Sequence, residues 1–106
     1  VINNKNLGMI RQFQDRYFES RYQSNFWGYS PPDFEKVAKA YGIDSSTVSE
    51  DDSITEALAK MWDNPNAPYL LQVMVDSYTN AYPKIAFGRP LTQMEPLCKP
   101  IEMEAT

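Results

Sequence analysis

The amino-acid sequence predicts an α/β fold, a partial parallel sheet with flanking helices. Three observations carry this reading. Tyr69 to Val75 is almost continuously apolar, the pattern of a strand covered on both faces in a parallel sheet. Val1-Ile2 is β-branched and runs straight into the polar turn Asn3-Asn4-Lys5-Asn6, as a buried strand does at its end. Segments of helical period separate the two, the order that brings strands together in parallel.

Each element has its own signal. From Leu7 to Ser20, Ile10, Phe13 and Tyr17 recur on one helical face, with Phe18 beside it, and Asn4 or Asn6 is placed to cap the start. Arg21 to Tyr29 holds Tyr22, Phe26, Trp27 and Tyr29 without a period and reads as a loop. Ser30-Pro31-Pro32-Asp33 opens a second helix, with Ser30 as cap and Pro31 at the first helical position. Phe34, Val37, Ala38 and Tyr41 continue it, and Gly42 ends it. Ser46-Thr47-Val48 is a short strand-like patch. Ser49 and Asp52 are expected to cap a third helix with Ile54, Ala57, Leu58 and Met61 on its apolar face. Asn64-Pro65-Asn66-Ala67-Pro68 is a turn by composition. Beyond Asp76, Pro83, Pro90, Pro96 and Pro100 punctuate a stretch without period, so residues 89–106 are expected to form an extended tail behind a body of residues 1–88.

Composition removes several function classes. The chain has 106 residues, 42% hydrophobic and 23% charged, which suits one globular domain. With 10 Lys and Arg against 14 Asp and Glu, the net charge is −4, and no basic stripe reverses it locally, so nucleic acid is not an expected partner. No apolar run approaches the ~18 residues of a membrane span. Interspersed charges read as a solvated, cytoplasmic surface. There are no histidines and one cysteine, Cys98, which removes histidine catalysis, histidine metal sites, intramolecular disulfides and cysteine-rich zinc cages. Without a neighbouring base, Cys98 reads as an inert thiol. Glu50-Asp51-Asp52 reads as dipole-complementing charge in a first helical turn rather than a metal site.

The informative segment is Asn3 to Met9, at a strand-to-helix junction. Open α/β sheets bind ligands beyond the carboxyl ends of their strands. A helix N-terminus there offers free N–H groups suited to a phosphate, and Gly8 lets the backbone approach closely. The carboxamide oxygen of Asn4 and a main-chain carbonyl such as that of Asn6 are hard ligands, suited to Mg²⁺ at ~2.0–2.1 Å. The same residues also make an ordinary capped helix after a tight turn, and physics alone leaves both readings open.

Asn3-Asn4-x-x-Leu7-Gly8-Met9-Ile10-Arg11-Gln12-Phe13 and the residues through Phe18 resemble the C-terminal, diphosphate-binding domain of acetolactate synthase, a thiamine-diphosphate enzyme. The likeness continues through Pro32-Asp33-Phe34, Ala40-Tyr41-Gly42-Ile43, Glu56-Ala57-Leu58 and Pro68-Tyr69-Leu70-Leu71-Gln72-Val73, covering most of residues 1–88. It implies a Rossmann-like domain in which Asn4 and the carbonyl of Asn6 hold Mg²⁺ on the cofactor diphosphate. Gly8 and Met9 then lie over the diphosphate, and Phe13 lines the substrate channel, where many members carry Trp. The family's upstream Gly-Asp-Gly aspartate and its activating glutamate are absent from this sequence, so no catalytic residue is expected here.

The resemblance implies part of a longer transferase of branched-chain amino acid or acetoin metabolism, with thiamine diphosphate, Mg²⁺ and in some members FAD. Such an enzyme decarboxylates pyruvate and joins the fragment to a second 2-oxo acid. Expected partners are the rest of the polypeptide and further copies in a homo-oligomer. Another carboligase or decarboxylase of this type, or a non-enzymatic interaction module, are the alternatives. A chain opening inside a strand, without an initiator methionine, is expected to be a piece that is inactive alone and self-associates.

Overall fold

The computed structural model describes residues 1–25, 27–49 and 53–101. The apolar run Tyr69–Met74 is strand β3 and forms the centre of a three-stranded sheet. Strand β1 (Ile2–Asn3) pairs with it on one edge and strand β2 (Asp44–Val48) on the other, both in parallel. Backbone bonds continue the short ladder on both sides of the paired residues: the Val1 nitrogen donates to the Leu71 carbonyl at 2.7 Å, and Val75 N–H donates to the Asn3 carbonyl at 3.1 Å. Strand β2 is longer than its Ser46-Thr47-Val48 signal. Its full five-residue register with β3 recruits the polar Asp44 and Ser45 as well.

Helix α1 covers Gly8–Tyr17, α2 covers Phe34–Ala40 and α3 covers Ile54–Trp62. All three helix starts differ from expectation. Asp33, not Ser30, caps α2, its carboxylate accepting from the N–H groups of Glu35 and Lys36. The cause is local: a residue before proline is driven out of the helical region, so Pro31 cannot open a helix that must pass Pro32. At α1 the N-cap is Leu7, and neither Asn4 nor Asn6 caps the helix. The C-terminus of α2 follows its signal. Gly42 has φ +74°, Gly42 N–H donates to Lys39 and Ile43 N–H to Ala38, the paired bonds of a Schellman ending. For α3, Ser53 rather than Ser49 holds the cap position, while Asp52 and the Glu50-Asp51-Asp52 cluster lie outside the described residues. The expected apolar face of α3 is only partly covered, since Ile54 and Leu58 remain exposed.

The chain divides into two compact units, Val1–Asn6 with Tyr29–Ser77, and Leu7–Gly28 with Tyr78–Thr106. In the first, α2 and α3 pack on β2 and β3. Leu71, Val48 and Ala38 form the buried apolar core there. Helix α2 covers a polar sheet face: Phe34 N–H donates to the Gln72 side chain, and Ser45 Oγ donates to the Glu35 carbonyl.

The second unit departs further from the sequence reading. Within the segment expected to be an extended tail, Met94–Glu95 forms strand β5, which pairs antiparallel with β4 (Lys84–Ile85). Helix α1 also ends at Tyr17 rather than Ser20, because Glu19 and Ser20 are left-handed, with φ of 53° and 58°. The buried residues of α1 are Arg11 and Gln12, whereas Ile10 and Phe13 of the expected apolar face are exposed. Among the described residues, no helix is long and apolar enough to cross a membrane.

Candidate functional site

Because all three long-sheet strands are parallel, Asn3, Val48 and Met74 end at one edge. Just beyond β1 the chain makes two overlapping Asx turns. Asn3 Oδ1 accepts from Lys5 N–H at 2.9 Å, and Asn4 Oδ1 accepts from Asn6 N–H at 3.1 Å. Lys5 sits between them with φ 53°. The second bond explains why Asn4 does not cap α1: its side-chain oxygen already serves the turn.

Asn3 and Asn6 are buried and Asn4 is half-buried. Both amide atoms of Asn6 lack a hydrogen-bond partner, an unusual state for a buried side chain. An amide oxygen has two lone pairs, so Asn4 Oδ1 retains one after its bond to Asn6. The turn therefore offers neutral, hard oxygen donors at the carboxyl edge of a parallel sheet, and these fit Mg²⁺ bound together with phosphate oxygens. The described residues contain no group of three or more metal-competent His, Cys, Asp or Glu side chains. They can supply part of a coordination shell, not a closed one.

Within the second unit, Gly8 is the first residue of α1 and Met9 the second. Met9, Ile10, Phe13 and Phe18 line a concavity of about 840 Å³, with Gln14 and Arg21 at its polar side. Phe13 is held by aromatic neighbours, its ring centroid 4.4 Å from Tyr17 and 5.9 Å from Phe18. The loop after the helix is tied back through Gln14, whose side chain exchanges two 3.1 Å bonds with the main chain of Gln23. Phe26 lies outside the described residues, Trp27 is exposed, and Cys98 is half-buried.

Two polar networks escaped the sequence reading. In the first unit, Gln72 interrupts the apolar run of β3 and is buried. Its Oε1 accepts from Asn3 Nδ2 at 3.1 Å and from Phe34 N–H at 3.2 Å, and its Nε2 donates to Thr47 Oγ1 at 3.0 Å. Thr47 also bonds Glu35, which pairs with Lys39. The bonds from Lys39 and Thr47 hold the Glu35 carboxyl below its ordinary range. In the second unit, Arg11 is 1% exposed and binds Asp15, the carbonyls of Tyr78 and Thr79, and Asn80 Oδ1. Burial pushes the Asp15 carboxyl up, but the bonds from Tyr22, Ser20 and Arg11 together outweigh it and hold it low. The signal available for Gln72 was its isolation as a polar residue in a continuous apolar strand. For Arg11 the periodicity pointed the other way.

Comparison with known proteins bears on the same segment. The family described as thiamine pyrophosphate enzyme, C-terminal TPP binding domain, matches residues 1–73. The acetolactate synthase large subunit of Pyropia yezoensis is 36% identical over 100 residues, covering 94% of this chain and 17% of that protein. The acetolactate synthase isozyme 2 large subunit of Escherichia coli (strain K12) is 34% identical over 94 residues, 89% of this chain and 17% of that protein. Acetolactate synthase 1, chloroplastic, of Zea mays is 30% identical over 100 residues, 89% of this chain and 16% of that protein. The chain thus spans a small fraction of the length of these relatives.

Proposed function

The chain belongs to the thiamine pyrophosphate enzymes as a C-terminal TPP binding domain, and from that premise we propose that it is the diphosphate-anchoring part of an acetolactate synthase. The observation that carries the proposal is the Asn3–Asn6 turn, with a spare lone pair on Asn4 Oδ1 and a buried, unpartnered Asn6 amide, at the carboxyl edge of a parallel sheet. Asn4 Oδ1 and the Asn6 carbonyl would bind Mg²⁺, which would hold the cofactor diphosphate. Gly8 and Met9 would face the diphosphate from the start of α1, and Phe13 would form an aromatic wall on the substrate side. Thiamine diphosphate supplies the electron sink that makes decarboxylation of a 2-oxo acid feasible. The residues of this chain would bind and orient it.

In this reading the assembled enzyme works in the cytoplasm, takes pyruvate and a second 2-oxo acid, and acts as a homo-oligomer, with FAD as a further component. The missing carboxylate ligand comes from other parts of the enzyme, so the 106-residue chain alone makes no acetolactate. Acetolactate formed by the highly purified chain with thiamine diphosphate and Mg²⁺, above a no-protein control, would refute that statement. The direct test of the site is Asn4→Ala in the full-length protein. Loss of a ligand or its support costs on the order of 10–100-fold in metal affinity. Cofactor titrated at fixed Mg²⁺ should show that loss, and an unchanged affinity would leave Asn4 with its turn bond only.

A further inference from the structure

We infer that Gln72 is the positioning residue of the asparagine turn: it sets the orientation of Asn3, and through Asn3 the placement of Asn4 and Asn6. The inference rests on the metal reading proposed above. It follows from a chain of hydrogen-bond polarities that begins at a group with no freedom. The N–H of Phe34 is a main-chain donor in the first turn of α2, where no helical carbonyl is available to it. It donates to Gln72 Oε1 at 3.2 Å, so that atom must be the oxygen of the Gln72 amide. The nitrogen then faces Thr47 Oγ1 at 3.0 Å.

The same Oε1 lies 3.1 Å from the Asn3 amide, which must therefore present Nδ2 to it. With Nδ2 facing the sheet, Asn3 Oδ1 faces the chain ahead and accepts Lys5 N–H at 2.9 Å. That bond holds Lys5 at φ 53°, an uncommon conformation for a residue with a long side chain. The reversal at Lys5 brings Asn6 N–H onto Asn4 Oδ1. Gln72 and Asn3 are both buried, so neither amide can turn over and satisfy itself with water. A central strand that otherwise wants apolar residues thus holds a glutamine where it fixes the start of the ligand turn.

The test uses the full-length enzyme and reads Mg²⁺ affinity through thiamine diphosphate binding, with the melting temperature of each cofactor-free variant measured beside it. Gln72→Met keeps an unbranched side chain of similar length and removes both polar atoms. It should weaken Mg²⁺ affinity on the order of 10–100-fold, as loss of a ligand's supporting partner does. Gln72→Glu keeps an acceptor for Phe34 and Asn3 and should restore most of that affinity, which a generic packing role for residue 72 would not do. Asn3→Ser can still make a serine turn to Lys5 but cannot reach Gln72. It should reproduce the Gln72→Met loss, and it carries the test if Gln72→Met does not fold. The Asn3→Ser/Gln72→Met double variant should lose no more affinity than the worse single, because both cut one link. Asn4→Ala separates the two levels of the argument. If it leaves affinity unchanged, the metal reading falls and this inference with it. If Asn4→Ala weakens binding but Gln72→Met and Asn3→Ser only lower the melting temperature, or if their effects add, the positioning role alone is overturned.

Discussion

Replacing Arg11 by Met should destabilise the α1 unit more than any single apolar truncation on the same helix. The guanidinium is 1% exposed and makes four polar contacts: Asp15 at 2.5 Å, the carbonyls of Tyr78 and Thr79 at 3.1 and 3.2 Å, and Asn80 Oδ1 at 2.6 Å. It also stacks 5.5 Å from the centroid of the Tyr78 ring. Removing one partner of a buried ion pair costs about 3–5 kcal/mol, because the other charge is left behind. The Asp15 side chain is 30% exposed and can recover some hydration, so the lower end, about 3 kcal/mol, is expected. Arg11→Lys keeps the charge but not the planar fork that serves several acceptors, and should lose about half as much. Equilibrium urea denaturation gives the stability change. Amide exchange at Ala81, whose N–H donates to Gln12 Oε1 at 3.0 Å, reports whether the 78–81 segment has come away. A loss for Arg11→Met below about 1 kcal/mol, no larger than that of an average substitution, with Ala81 still protected, would refute the reasoning.

Two further perturbations follow from the geometry. Gly42→Ala places a Cβ on a residue at φ +74° with no atom within 4 Å, so the cost is backbone strain alone, about 1 kcal/mol, and Gly42→Asn should cost less; thermal melts of the two variants compare them. Asp15 and Glu35 are both held below their ordinary values of 3.8 and 4.5 in the folded chain. Their stabilisation is therefore fully present above those values and lost as pH falls through the lower folded ones. Denaturation curves should superimpose from neutrality to mild acid and weaken below that range, less so for Asp15→Asn; the same acid loss in Asp15→Asn would assign it elsewhere.

The parallel sheet was legible because its centre obeys a simple rule: a strand buried on both faces is apolar along its length, and Tyr69–Met74 is so at every position but Gln72. Gly42 was legible because a left-handed helix ending favours one residue type. Asn3 and Asn4 were legible as turn residues, yet which groups their oxygens would take was not, since helix cap and Asx turn use the same side chains. Arg11 and Gln12 were misplaced for a different reason. Periodicity asks where apolar residues fall and assumes that they mark the inside. On α1 the inner face instead meets main-chain carbonyls and an amide, for which Arg and Gln are the better match. The β4–β5 pair was hidden because two-residue strands carry no pattern.

That match has a consequence for how freely the sequence can drift. Arg11 and Gln12 grip Thr79 and Ala81 through main-chain atoms, Asn80 through its side chain, and Tyr78 through both its carbonyl and its ring. Main-chain atoms are the same in every residue type, apart from the N–H that proline lacks. At Thr79 and Ala81 the docking therefore places its demand on one partner: Arg11 and Gln12 are fixed, while Thr79 can be exchanged broadly and Ala81 for nearly anything but proline. Among relatives, the main-chain contacts should accordingly hold the helix residues constant while leaving Thr79 and Ala81 to vary, so the attachment would leave little covariation between those positions and the helix.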